Sequence, residues 1–406
     1  MQPKKLYLGG LSLNVILLGI ISFLTDTSSE MIVPILPLFL TETLLAPMSV
    51  VGLLEGAAES TACVIRAVSG AWSDRTGKRS PFLKVGYSLS TVAKLLFAFS
   101  TSWLHVVFLK VAERVGKGVR SAPKDALLAD SSAPEVRGKA YGFHQAMDTA
   151  GAAFGVVIAI ILISTLALGY RTIFLLAAIP ATLAVLLLFL VREGGTKTNR
   201  RPAAKPWGGL GCFTPELKVF ILAMSILSVT SVMTSFLIIL AIESGASPIQ
   251  AIVLYLAFNI VYAGFSLPAG MISDRVGRYP VILLGYLSMF GMFVLAIFCE
   301  NLTVALGAFV LYGFAYALTH GVQKALVADM APECVRGSAL GVYNMSIGIA
   351  ALPMAITGGI LWDACGSWAT FAFGAALSSA GIILLFVLAR KAGLKTGIKS
   401  AAKPRP

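Results

Sequence analysis

The residues best placed to do chemistry are charges, set in stretches where the surrounding side chains are apolar. Between residues 103 and 127 the sequence spaces Lys110, Arg114, Lys117 and Lys124 at steps of four, three and seven, with Arg120 beside Lys117 at i+3. That spacing gathers them on one face of a helix. Guanidinium and ammonium groups there would offer charge-assisted hydrogen bonds to carboxylates or phosphates. Residues 11–40 carry Asp26 near their middle and Glu30 one turn later, then Pro34 and Pro37, which remove backbone donors and can kink a helix. A carboxylate removed from water gives up its proton less readily, so such acids are candidates for reversible protonation near neutral pH. Glu55 and Glu59 also lie one turn apart, with Arg66 seven residues after Glu59. They are read first as ion pairing within their own bundle and second as part of a proton path. His144 and Asp148 form another one-turn pair, where a structural hydrogen bond is expected of the histidine. Asp26, Glu30, Glu59 and Asp148 are the candidates for proton coupling.

The placement of charge is lopsided. Beyond residue 216 only Lys324 lies well inside an apolar segment, while neutral polar and aromatic groups take over. Tyr255, Asn259 and Tyr262 share one helical face, and Tyr312, Tyr316, His320 and Gln323 share another. A substrate held between the halves would touch Arg114, Lys117 or Arg120 on one side and Tyr255, Asn259, Tyr316 or Gln323 on the other. The competing reading pairs the cations internally with Glu113, Glu55, Glu59 and Asp148, and lets Lys124 snorkel to the surface. A face that both pairs and binds is also physically sound.

These residues sit in a chain of 406 residues that is 57% hydrophobic and 13% charged, against roughly 25% charged in an ordinary soluble domain. The apolar residues fall into twelve segments of about 20 residues, enough to cross a hydrocarbon core of about 30 Å. The chain is therefore an integral membrane protein. The net charge of +13 is concentrated in the termini and in loops of one face, whereas the loops of the other face hold Arg171 as their one basic residue. This is the positive-inside pattern, which places both termini in the cytoplasm and adds attraction to anionic lipid. It implies no nucleic acid. The first apolar segment is too long, and lacks the small-residue cleavage site, for a signal peptide. The five cysteines are scattered without metal-ligand spacing, so neither metal nor cofactor is expected.

Residues 192–216 are rich in Pro, Gly and basic groups and read as a cytoplasmic linker. They divide the chain into an N-terminal six-helix bundle (1–191), a C-terminal six-helix bundle (217–389) and a basic cytoplasmic tail (390–406), expected to be disordered. Internal repetition supports the division. Gly70, Asp74, Arg75 and Gly77 recur as Gly270, Asp274, Arg275 and Gly277, and Asp130 and Arg137-Gly138 recur as Asp329 and Arg336-Gly337. The two halves are thus parallel repeats related by an axis along the membrane normal.

The duplicated G-x-x-x-D-R-x-G-[KR] loop resembles the signature of the major facilitator superfamily. That resemblance implies an all-α fold of twelve transmembrane helices in two six-helix bundles, rocking about a midplane site by alternating access. It also implies that Asp74 accepts hydrogen bonds from the N-terminus of the eleventh helix near Arg336–Ser338, latching the cytoplasmic side. Physically, Gly70 and Gly270 allow close helix contact, and Gly77 and Gly277 permit turns with positive φ. Arg114-x-x-x-Gly118 resembles the helix-4 motif of proton-coupled drug antiporters in the superfamily, though Lys117 and the extra cations depart from it.

The function expected is secondary active transport, proton-coupled, of a small organic or inorganic anion, including polycarboxylate metallophores. Proton-driven multidrug efflux is the alternative. A pump is excluded by the lack of a phosphate-binding loop. An enzyme is not expected, because no nucleophile and base are spaced to meet; a non-transporting sensor is a minor alternative. Small-molecule substrate, protons and membrane lipid are the expected partners of a monomer in a bacterial inner membrane.

Overall fold

The computed structural model describes residues 6–7, 11–132, 136–191, 210–332 and 336–396. Most of the linker, the end of the tail and Cys334 lie outside these residues, as do the side chains of Asp74 and Arg336. A two-residue hairpin, β1 (Leu6–Tyr7) and β2 (Leu11–Ser12), precedes the first helix. The first half then contains α1 (Leu13–Thr43), α2 (Met48–Thr76), α3 (Ser80–Phe97), α4 (Trp103–Asp130), α5 (Arg137–Ser164) and α6 (Tyr170–Leu188). The second contains α7 (Pro215–Glu243), α8 (Pro248–Val276), α9 (Arg278–Ile297), α10 (Leu302–Met330), α11 (Arg336–Cys365) and α12 (Ser367–Thr396).

Local chemistry explains the breaks. Ser12 caps α1, accepting from the Val15 amide. Regular helix stops at Ile32, resumes for Leu36–Leu38 and ends in a π turn at Phe39–Thr43. Pro34 and Pro37 supply no N–H across this stretch, so the kink expected there is present. The 3-10 stretch Leu227–Val232 within α7 has no proline behind it. Gly77 ends α2 with φ 66°, and Gly277 follows α8 with φ 96°, as their left-handed turns require.

Among the described residues, ten of the twelve helices are long and apolar enough to cross a membrane on composition alone; α3 and α4 are not among them. The reason is the basic stripe of α4 and the polar residues of α3. These two pack closely, because an added Cβ at Gly116 of α4 would strike Ser90 of α3, and one at Gly86 of α3 would strike the Gly116 carbonyl.

Within the first half, α1 packs on α5 and α6, α2 on α4, and α3 on α4 and α6. The second half repeats this with α7 on α11 and α12, α8 on α10, and α9 on α10 and α12. Every pairing recurs six helices later, which makes two six-helix bundles of one design. They meet along α2·α11 and α5·α8. Two expectations fail. The helix of α12 continues through residues 390–396, part of the tail expected to be disordered. Gly270 makes no close helix contact: no atom lies within 4 Å of a Cβ built there, because it faces a cavity.

Candidate functional site

The cavity lies between the bundles and has a volume of about 1110 Å³. From the first bundle it is lined by Asp26 and Glu30 of α1 and by Gln145, Asp148 and Thr149 of α5. Asn259, Tyr262 and Ser266 of α8 and His320 and Lys324 of α10 line the second. It runs to Asp274 and Arg278, at the end of the molecule where α1 and α7 begin and α6 and α12 finish. At that mouth Arg278 bonds Asp274 (2.6 Å), Ser273 (2.6 Å) and Asp329 (3.3 Å). The equivalent Arg79 donates to Ser73 (2.8 Å) and lies 4.0 Å from Asp130. Arg79 and Arg278 are not among the sequence candidates: Arg278 fills the last signature position of the second copy, whereas Arg79 lies one residue beyond Lys78, which fills it in the first.

The opposite end is closed. Residues 48–63 of α2 lie against 348–363 of α11, where an added Cβ at Gly52, Gly56 or Gly359 would meet backbone of the other helix. Hydrogen bonds cross between the bundles above the cavity. The Tyr255 hydroxyl donates to Glu30 Oε2 at 2.8 Å, Ser235 to Glu55 Oε1 at 2.6 Å, and Ser60 to the Gly348 carbonyl. Glu55 therefore reaches to the second bundle, in place of the expected pairing within its own. Beyond the Tyr255–Glu30 bond lies a smaller pocket of about 170 Å³, lined by Glu30, Glu55, Glu59, Lys110, Arg114 and Tyr255. A third void of about 50 Å³ inside the first bundle touches Asp26, Glu30, Lys94, Glu113, Arg114 and Lys117. Glu30 lines all three.

The basic stripe is divided between two tasks. Glu113 pairs with Lys110 (3.7 Å) and Arg114 (3.5 Å). Arg120 is buried, donates to Ser90 Oγ at 2.7 Å and stacks 4.3 Å from the Tyr87 ring centroid. It is held inside the bundle and does not line the cavity, contrary to expectation. Lys124 donates to Ser22 (3.0 Å), so it too turns inward and does not snorkel. Arg114 and Lys117 remain on the voids. Arg114 Nε, though 3.5 Å from the Glu113 carboxylate, is a buried donor that makes no hydrogen bond among the described residues.

Other candidates separate similarly. Asp26, Glu30, Asp148 and Asn259 come together on the main cavity. Glu59 lines the smaller pocket and accepts from Cys63 (3.4 Å). Asp148 lies 3.5 Å from His144, which bonds Ser22 at 2.9 Å, the structural hydrogen bond expected of that histidine. Tyr316 stacks on His320 (centroids 5.7 Å, 10° between planes) in an aromatic cluster with Phe258, Tyr262 and Tyr312. Gln323 is not a cavity residue: it donates to Tyr286 (2.8 Å) and accepts from Tyr343 (2.6 Å) in a buried knot within the second bundle. Its place on the polar face of α10 gives no sign of those partners, which come from α9 and α11. Lys94 carries no sequence signal beyond being a charge within an apolar segment. Its side chain is fully enclosed, and its Nζ bonds the Thr25 carbonyl (3.3 Å), Ser28 (3.1 Å) and Ser29 (2.8 Å), bracketing Asp26 on α1.

The model of the Major Facilitator Superfamily matches this chain twice, over residues 18–222 and 218–406. The chain belongs to the major facilitator superfamily. Among its relatives in the superfamily is an uncharacterised transporter of Methanocaldococcus jannaschii, 37% identical over 93% of this chain and 95% of the relative. A probable 4-methylmuconolactone transporter of Cupriavidus pinatubonensis is 26% identical, covering 73% of this chain and 72% of its own. The crystal structure of the nucleoside transporter NupG superposes with a TM-score of 0.76 at 14% identity, over 93% of this chain and 99% of that one. As a member of the superfamily the chain is a multi-pass secondary transporter of the membrane, of a kind that binds small-molecule substrates.

Proposed function

We propose that this transporter works by alternating access and couples substrate movement to protons, with Asp26, Glu30 and Asp148 as the titrating groups. One observation carries the coupling: these acids, from two helices, share the wall of a single cavity between the bundles. Glu30 also holds the other bundle through Tyr255, so a change in its charge acts directly on the contact that alternation must break. A bound proton or substrate biases the two states only through its differential affinity for them. Arg278 and Lys324 line the cavity, and by the positive-inside pattern of the sequence its open end faces the cytoplasm of a bacterial inner membrane. The conformation is then the inward-facing one.

For the substrate, the reading is a small organic anion whose acidic group reaches Arg114 and Lys117 past Glu30. Support comes from Arg114 Nε, which makes no hydrogen bond among the described residues, beside two voids that both meet the main cavity at Glu30. A second reading has its own observation: the main cavity presents Asp26, Glu30 and Asp148 beside Tyr262 and His320, a surface suited to an amphipathic cation exchanged for protons. A thermal-shift screen of purified protein against carboxylates, phosphates and lipophilic cations separates them, because selective binding raises apparent stability. The anion reading expects carboxylates or phosphates to stabilise the wild type and to lose that effect in Lys117→Gln. Stabilisation by lipophilic cations alone, unchanged in Lys117→Gln, would contradict it and favour the second.

A further inference from the structure

The closed end of the molecule contains a residue that neither the repeat nor the superfamily signature marks. α2 begins at Met48, and its N-cap residue, Pro47, has no side chain able to accept a hydrogen bond. The first amides of a helix need acceptors from elsewhere. Here they find them on the other bundle: the Met48 amide donates to Asp363 Oδ1 and the Ser49 amide to Asp363 Oδ2, both at 2.8 Å. The carboxylate near the C-terminal end of α11 is thus the N-terminal cap of α2, and its charge suits the positive end of that helix.

The symmetry-related junction is built differently. Position 247, the counterpart of Pro47 at the repeat offset of the signature loop, is Ser247, which caps α8 from its own loop in a capping box with Gln250. Whichever way the bundles rock, α8 keeps its cap. α2 keeps this one only while α2 and α11 stay together. The neighbouring side chain holds α11 in place for this task, because Trp362 Nε1 donates to Glu243 of α7 at 3.0 Å. Close approach is secured by Gly52 and Gly359, where any side chain would collide with the facing backbone.

We propose that Asp363 is the positioning residue that sets the balance between the two transport conformations, by making the capping of α2 conditional on closure of the end away from the linker. It touches no substrate. The inference rests on alternation of the two bundles, and not on which substrate or ion is carried.

The test uses paired spin labels on the full-length protein in lipid nanodiscs, with distances measured by pulsed electron resonance. One pair, at the exposed positions Thr165 and Glu300, spans the closed end; the other, at Thr76 and Val276, spans the cavity mouth. In Asp363→Ala the ratio of far-end-open to far-end-closed distances should rise about fivefold, the size of one lost helix cap. The ratio of short to long Thr76–Val276 distances should rise in the same proportion. Asp363→Asn keeps one acceptor oxygen and should fall between wild type and alanine, which also guards against an alanine variant that fails to fold. Unchanged distance ratios in either variant overturn the proposal. So does lengthening at both ends, which is what simple loosening of the structure would produce. If the two pairs never change in opposition, even across pH and substrate screens of the wild type, alternation itself fails rather than the role of Asp363.

Discussion

Glu30 is the side chain on which the proposed site turns, since it lines all three voids described above and bonds the second bundle through Tyr255. Its importance, and that of Asp26, was legible because a carboxylate in the middle of an apolar segment is costly and therefore calls for a purpose. The partners were not legible. Arg120 and Gln323 look equally available from their helical faces, yet each is consumed by residues distant in sequence, Ser90 and Tyr87 for one, Tyr286 and Tyr343 for the other. Lys94 is the converse case, a buried cation whose three oxygen partners all lie on α1. Replacing it by methionine strips hydrogen bonds from the segment that bears Asp26. Lys94→Met should therefore lower stability by about 1–3 kcal/mol, the usual cost of hydrogen bonds to a buried charged group. Thermal unfolding in detergent checks this, and a midpoint equal to wild type would mean that Lys94 does not hold α1.

Among the helices, α4 shows how far a pattern carries. Its steps of four, three and seven correctly place a polar face, and the same charges keep it from looking like a spanning helix on composition alone. Which of those charges face a void depends on α3 and α1, and no periodicity in α4 could reveal it. The α2·α11 seam has a different logic, because glycines there set the distance between backbones. A branched residue at Gly52 cannot be accommodated without separating the helices. Gly52→Val should leave protein in the membrane at near-normal amounts while abolishing transport, with the Thr165–Glu300 distance held long. Normal transport by Gly52→Val would show that the seam need not close. At the mouth, Arg278→Ala removes contacts to Ser273, Asp274 and Asp329 at once. It should slow turnover without changing which ligands stabilise the protein, measured by uptake in proteoliposomes alongside thermal shift.

For the molecule as a whole, the offset between the two signature loops announced two bundles, and every helix pairing of the first recurs in the second. The sequence could not disclose which end is open. The closed end is held by contacts between non-equivalent residues, such as Asp363 with Met48 and Ser49, which the repeat does not mark. The duplicated motif also hid an asymmetry, for Gly270 faces the cavity while Gly70 packs against Ala122. Acids in the first bundle and neutral polar and aromatic groups in the second line opposite walls of the cavity, and the proposed division of work gives the acids the protons. Coupled transport here requires that the cavity acids move protons. The most direct measurement is proton movement and substrate flux together in proteoliposomes, using a ligand found by thermal shift, for wild type, Asp26→Asn and Glu30→Gln. Wild type should carry protons with substrate and respond to an imposed pH gradient. Asp26→Asn or Glu30→Gln should still exchange substrate at equal concentrations while losing the response to the gradient. Gradient-driven transport that survives intact in both variants would contradict the assignment of these acids.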